Sequence, residues 1–432
     1  MVNFVRLLYY LATAMRRLYW DENKLRKYQR KRLRAVVRYA YDNVPFYHKK
    51  FREAGIRPDD IKCLDDLPKL PLIRKSELRR VPPRQRVSVE FDVNKLKVVR
   101  TSGSTGEPFT TYISGCEDEW RKAIYMRANI SCGQKPRDKW VVITAPHHFY
   151  DTTSFQRRLG IYAQTCISIF NSVERQIELV SKAKPDILDG YSGALFLIAR
   201  ELDRCGLNSV NPRIVFGTAD LIDEASRKFM ENVFGAPYLD QFGCAEVDRS
   251  AWQCPERVGY HMDVDSVIME FVDESGETVS AGERGEIVYT SLFNYAMPLI
   301  RYAVGDVGVP SDDVCPCGRK LPLMNVVEGR RDSFLVLPDG RLISPMAFRN
   351  ALGVFFDKIV QYRIVQRRVD LFEIFVRLKD GVDEGVFENE IVEHVRRVLG
   401  FGDDVRVVVN LVDELPLSKT GKLRAVISNV KI

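Results

Sequence analysis

Apolar and polar positions along the chain follow three successive patterns. Near the N-terminus, Leu25, Tyr28, Leu33, Val36, Val37, Tyr39 and Ala40 recur at spacings of three and four, which predicts a helix over 24–55. Pro45, in "YDNVPFY", breaks that helix. "DLPKLPLIRKSELRR" then carries two prolines and a helical turn predicted to be capped near Ser76. In the middle, short apolar runs alternate with amphipathic stretches. "KWVVITAP", "DILDGY", "NPRIVFGTA" and "APYLDQFG" read as strands. "SVERQIELVSKAKP", "SGALFLIARELDRCG" and "IDEASRKFMENVFG" read as helices. This alternation predicts a parallel sheet with helices on both faces.

After Gly243 the pattern changes. "DSVIMEFVDESGETVSAGERGEIVYTSLF" is strand, glycine turn, strand, an antiparallel signal. Beyond Asp332, "SFLVLPDGRLISP" predicts a hairpin through Asp339-Gly340. "IVQYRIVQRRVDLFEIFVRL" predicts two strands, "EGVFENEIVEHVRRVLG" a helix and "DVRVVVNLVDEL" a last strand. The expected fold is α/β. A large domain over 1–331 has a helical N-terminus, mixed and parallel sheets and a β-rich subregion. A small α+β domain occupies 332–432.

Composition changes this picture at few points. The 432 residues are enough for more than one domain. No apolar run reaches the roughly twenty residues a membrane-spanning helix needs. The start, "MVNFVRLLYYLATAMRR", has only Arg6 ahead of its apolar part and no clear small-residue cleavage site, so it reads as a packing helix rather than a leader. Membrane contact through it is expected to be weak at most, and the apolar stretch Phe4 to Ala12 also suits pairing of two copies. Nine cysteines, an odd number in a long chain, point to a reduced cytoplasmic setting. The net charge is +7, and the stretch Arg16–Arg38 alone carries +8. That stretch suits a polyanion or a membrane surface; it also suits a solvated helix face. The second reading is preferred, because no nucleic-acid motif accompanies it.

The stretch "TSGSTGEPFT", 101–110, holds two glycines and five hydroxyl side chains. It is not a Walker A loop, because Glu107 and Pro108 follow Gly106 where Lys-Ser/Thr and a helix are required. "KLKVVR" before it and "FTTYIS" after it alternate as strands. The loop is either a phosphate cradle of backbone N–H and hydroxyl groups or a plain hairpin turn. "QFGCAE" places Glu246 after a strand and glycine turn, near the carboxyl edge where α/β sheets bind ligands. "RYAVGD" places Asp306 after another strand, and "LPLSKTGKLRA" puts Lys422 in a glycine turn. Three thiols and an imidazole, Cys254, His261, Cys315 and Cys317, match a closed structural Zn²⁺ site. His147 and His148 follow the "WVVITAP" strand and suit either acid–base work or the surface.

In this order "TSGSTGEPFT", "FGCAE", "GERGEI", "RYAVGD", "GRRD" and "TGKLRA" resemble the motifs of the adenylate-forming superfamily. "RYAYDNVPFYHKKFREAGIRPDDIKCLDDLPKLPLIRKSELR" and "CPCGR" are similar to its phenylacetate–CoA ligase branch, which includes coenzyme F390 synthetase-like and capsule-locus proteins. The resemblance implies an ATP-dependent ligase that adenylates a small-molecule carboxylic acid, aryl or arylacetic, and passes the acyl group to CoA. The alternatives are an adenylyltransferase of the coenzyme F390 synthetase type, or a capsule-locus protein without CoA transfer. It implies that Ser102, Gly103, Ser104, Thr105 and Gly106 cradle the β- and γ-phosphates, beside Phe242 and Gly243. It implies Mg²⁺ on Glu246, ribose on Asp306 with Arg330, a hinge to a mobile small domain at Asp332, and Lys422 on the α-phosphate. Related sequences also place cysteines like those of the zinc set. Three departures stand out. Phe109 occupies a place where many members carry Lys. Phe242 replaces a common Tyr. "SFLVLPDGRLISP" lacks the glycine-rich turn typical of phenylacetate ligases, in a region that helps form the thiol-stage site.

Overall fold

The computed structural model describes residues 3–101, 109–149, 154–330, 334–343, 345–355, 357–402, 404–416 and 425–430, with backbone alone at 147, 154, 155, 326–330, 346, 350 and 384. Among the sequence-predicted sites, Ser102 to Gly106, Asp332 and Lys422 lie outside the described residues, and of Arg330 only the backbone is described. The chain divides into two compact units, Met1–Gly133 with Gln241–Val327, and Gln134–Asp240 with Glu328–Ile432.

In the first unit, helix Phe4–Arg17 buries Leu7 and Ala14. Its Tyr10 ring meets Trp120 and Phe293 edge-on at 5.5 and 5.4 Å. The long N-terminal helix runs Glu22–Asn43 and buries one stripe from Leu25 to Ala40. A second helix, Pro45–Glu53, starts with proline in its first turn, where a missing N–H costs nothing. The next helix, Lys75–Arg80, begins one residue before Ser76 and has no side-chain cap: Arg74 stands at its N-cap. Nothing in the apolar pattern announces helix Gly115–Ser131, because its inward face carries buried Glu117, Glu119, Arg121 and Arg127. Tertiary partners satisfy these charges. Arg127 donates to both Asp265 oxygens at 2.9 Å and to Asp263. Glu117 accepts the Ala296 N–H at 2.8 Å.

The strands of this unit follow the order Val267–Val272, Gly285–Ser291, Tyr302–Ser311, Leu323–Arg330, Tyr260–Met262, Asp248–Gln253 and the end of Tyr238–Cys244. Val267–Val272 and Gly285–Ser291 pair antiparallel, as the alternation predicts. Lys97–Arg100 and Thr110–Ile113 form a separate antiparallel pair.

In the second unit the parallel order is Gln164–Ser168, Trp140–Thr144, Ile187–Tyr191, Ile214–Thr218 and the start of Tyr238–Cys244. Trp140–Thr144 and Ile187–Tyr191 are buried throughout, as strands covered on both faces must be. Helices Val173–Ala183, Ser192–Arg204 and Glu224–Phe234 pack on them around Val180, Leu195, Val215 and Phe234. Gln164–Ser168 lies at the edge of this order and alternates weakly, so its sequence hides it. The C-terminal part holds the Leu335–Val336/Leu342–Ile343 hairpin, which turns at Gly340 with φ 82°. It also has a four-stranded sheet, Arg406–Leu411, Leu371–Leu378, Ile359–Arg368, Val426–Ser428. Arg406–Leu411 is therefore not the last strand. The three residues Val426–Ser428 are too few to display a period of two, and they pair parallel to Ile359–Arg368.

Candidate active site

Strand Tyr238–Cys244 turns tightly into Asp248–Gln253, with Gly243 opposite Arg249 and Cys244 opposite Asp248. Glu246 sits in the tip of this turn, yet only 1% of it is exposed. A buried carboxylate needs partners, and it has them. The Lys75 ammonium lies 2.9 Å from Oε1, and the Tyr302 hydroxyl donates to the same oxygen at 3.1 Å. Burial pushes the Tyr302 phenol well up, and the Glu246 charge adds to that, so it stays a donor. From the unpredicted helix, Arg121 donates to the carbonyl of Ala245 at 3.3 Å and to that of Glu246. The turn is thus fixed by two cations and a phenol from three separate segments.

Asp306 lies inside strand Tyr302–Ser311, not after it. Burial first, and then the charges of Glu246 and Asp306, push the Cys244 thiol well up. Glu246, Asp306 and Cys244 therefore form one electrostatic group, which sequence position alone did not establish.

The glycine loop is closed at its base. Thr101 donates its N–H to the Phe109 carbonyl, and its Oγ1 accepts the Phe109 N–H, both at 2.9 Å. Phe109 is buried and stacks near Tyr302 with centroids 6.2 Å apart. Two cations stand over Phe109: the Arg86 guanidinium lies 4.8 Å and the Lys75 ammonium 5.9 Å from its ring centroid. Arg86 is buried, and among the described residues its Nε and Nη1 have no hydrogen-bond partner. A buried guanidinium with spare donors beside the base of a glycine loop suits an anion. Lys75 and Arg86 escaped the sequence reading because their segments carry many basic residues and nothing local singles these two out. As for Mg²⁺, one carboxylate serves it when nucleotide phosphates supply further oxygens, and Glu246 fits that mode.

The four residues of the predicted zinc set meet in the first unit. Their ligand atoms all lie within 4.8 Å of one another. Cys254 and Cys315 sulfurs are 3.5 Å apart, and Cys317 Sγ is 3.4 Å from His261 Nε2. Tetrahedral bonds of about 2.3 Å to sulfur and 2.0 Å to nitrogen require such separations. Burial, with Arg319 adding, lowers the His261 pKa to about 4, so the imidazole is neutral, as a ligand must be. Burial also acts to raise the Cys317 thiol, but hydrogen bonds from Arg319 outweigh it and hold Cys317 below the usual thiol value. His148 lies in a short 3₁₀ turn, Pro146–His148, after Trp140–Thr144.

Comparison with known structures defines the class first. The fold matches the crystal structure of a 2-hydroxyisobutyryl-CoA ligase in complex with R3-HIB-AMP with a TM-score of 0.81, 23% identity, and coverage of 96% of this chain and 91% of that one. The fold is that of the adenylate-forming acid–CoA ligases. The phenylacetate–coenzyme A ligase of Pseudomonas putida is 31% identical, over 89% of this chain and 90% of that protein. That of Thermus thermophilus is 27% identical, over 94% and 96%. The chain belongs to the phenylacetate–CoA ligase family. Residues 335–429 also match the family described as CapK C-terminal domain.

Proposed function

We propose that this protein is an ATP-dependent, AMP-forming ligase that adenylates a carboxylic acid and transfers the acyl group to CoA. The buried Glu246 carboxylate, neutralised by Lys75 at the base of the glycine loop, is the observation that carries this reading. The substrate carboxylate attacks the α-phosphorus of ATP, and the bond to pyrophosphate breaks. The CoA thiol then attacks the acyl carbon of the adenylate, loses its proton, and AMP leaves. No protein nucleophile is required.

Ser102, Gly103, Ser104, Thr105 and Gly106 hold the β- and γ-phosphates, flanked by Phe242 and Gly243. Lys75 and Arg86 bring cations to the same phosphates. Glu246 holds Mg²⁺, which neutralises phosphate charge when bound. Asp306 and Arg330 take the ribose, and Lys422 stabilises charge that develops at the α-phosphate. Asp332 is the hinge between a domain over 1–331 and a lid over 332–432. Cys254, His261, Cys315 and Cys317 hold a structural Zn²⁺, and the absence of any disulfide among the nine cysteines suits a reducing cytoplasm. The partners are a small carboxylate, ATP and CoA, without nucleic acid.

A second reading keeps adenylation but omits CoA. The match of 335–429 to the CapK C-terminal domain favours it, together with the missing glycine-rich turn after Asp332. The deciding experiment is ATP–pyrophosphate exchange across a library of carboxylic acids, aromatic acids included, with and without CoA. Exchange with one acid and CoA-dependent AMP release support the ligase. Exchange with AMP release indifferent to CoA supports the second reading. No exchange with any acid overturns the ligase and leaves only transfer of AMP to an acceptor that is not a carboxylic acid, or a relative without catalysis.

A further inference from the structure

Helix Phe4–Arg17 contains no acidic residue, and apolar side chains stand both on its packed side and on part of its exposed side. Its inner face packs, but Val5, Leu8 and Tyr9 are exposed, Val5 with 78% and Tyr9 with 67% of its surface in solvent. Tyr19, in the turn that follows, is also exposed. An apolar helix face left bare is a contact surface. The helix ends in Arg16 and Arg17, and after Asp21 the chain enters helix Glu22–Asn43. Lys27, Arg30, Lys31, Arg34 and Arg38 line one shallow surface depression on that second helix, opposite its buried stripe. Arg38 pairs with Asp59. Among the described residues the other four have no acidic partner.

From this combination we infer that the N-terminal helix pair is a docking surface for an anionic lipid membrane. The face of Val5, Leu8 and Tyr9 enters the boundary between headgroups and acyl chains, and the Lys27–Arg34 stripe meets lipid phosphates. Exposed tyrosines suit that boundary, with a wet hydroxyl and an apolar ring. Charge decides the occupant. A second copy of this chain offers the same +8 stretch rather than its complement, whereas an anionic bilayer offers the opposite sign. A basic stripe alone would suit nucleic acid equally, but nucleic acid gives no reason for the bare apolar face. No helix among the described residues is long and apolar enough to cross the membrane, so the contact is peripheral.

The test is co-sedimentation of the full chain with vesicles of phosphatidylcholine alone, and of phosphatidylcholine with phosphatidylglycerol as about a third of the lipid. We expect sedimentation with the anionic vesicles only, with release by salt. Loss of each stripe cation lowers the partition coefficient roughly fivefold, so the combined K27E/R30E/K31E/R34E variant should stay in the supernatant. V5D/L8D should weaken binding without altering the charge stripe. All these side chains are exposed, and an unchanged thermal transition verifies that each variant is folded. Equal sedimentation of wild type and the charge variant overturns the inference. So does a wild type that ignores anionic vesicles, whether it is a dimer that V5D/L8D makes monomeric or a chain retained by duplex DNA.

Discussion

Glu246, Lys75 and Tyr302 show what a single buried charge demands of its neighbours. The Glu246 carboxylate is excluded from water, so the ammonium 2.9 Å away and the phenol 3.1 Å away hold it. Glu246→Gln removes the charge and leaves Lys75 without its counter-ion. We expect pyrophosphate exchange to fall on the order of a hundredfold or more and the thermal transition to fall with it, because the ammonium loses its counter-ion in a mostly buried place; exchange at the wild-type rate would remove Glu246 from the site. Lys422→Ala should abolish adenylate formation and spare thiolysis of a supplied acyl-adenylate, which separates the two half-reactions by rapid quench. Glu270 reports on pH. Burial raises its pKa to about 6 from 4.5, against the opposing pull of Arg301 at 3.1 Å. The folded protein holds this proton more tightly than the unfolded chain. The associated stability is fully present below the unfolded pKa and is lost as pH rises through the folded one, about 2 kcal/mol in all. Urea unfolding on either side of that window should show the step in the wild type and not in Glu270→Gln.

At the scale of elements, the Glu246 hairpin depends on close approach rather than on an unusual backbone angle. A Cβ on Gly243 would lie 2.2 Å from the Asp248 carbonyl oxygen and 2.6 Å from Arg249 Cα. Gly243→Ala should therefore cost about 1–3 kcal/mol and displace Glu246, lowering both the urea midpoint and the exchange rate; a variant that keeps both would show that the turn tolerates a wider gap. The same scale separates legible from hidden elements. Strands buried on both faces, such as Ile187–Tyr191, and helices with one apolar face, such as Glu224–Phe234, were plain in the sequence. Helix Gly115–Ser131 was hidden, since ion pairs from distant segments stabilise its buried charges. Val426–Ser428 was hidden because a three-residue strand carries no period of its own.

For the whole molecule, the ligands of the proposed zinc site span 254–317, and all lie in the first unit. A metal there closes a long loop and contributes folding free energy directly. Metal analysis should find one zinc per chain. Its removal by a chelator should lower the thermal transition. A chain without zinc, or a transition that the chelator does not move, would refute this. Cys315→Ser should reproduce the effect of the chelator.

The sequence by itself determined the α/β class, the main strands and helices, the four residues of the metal set and the motifs that identify the family. Most of these are local: a hydrophobic period, a turn residue, or a short motif. The metal set is the exception, since its two halves are far apart in the chain and the structure brings them together. Only the tertiary structure decided that Lys75, Arg86 and Tyr302 gather around Glu246 and the base of the glycine loop. It also set Asp306 inside its strand, where its charge, like that of Glu246, acts on Cys244. Those residues come from segments separated by long stretches of chain. Nothing in the period of any one segment encodes which distant charge will neutralise a carboxylate once water has been excluded.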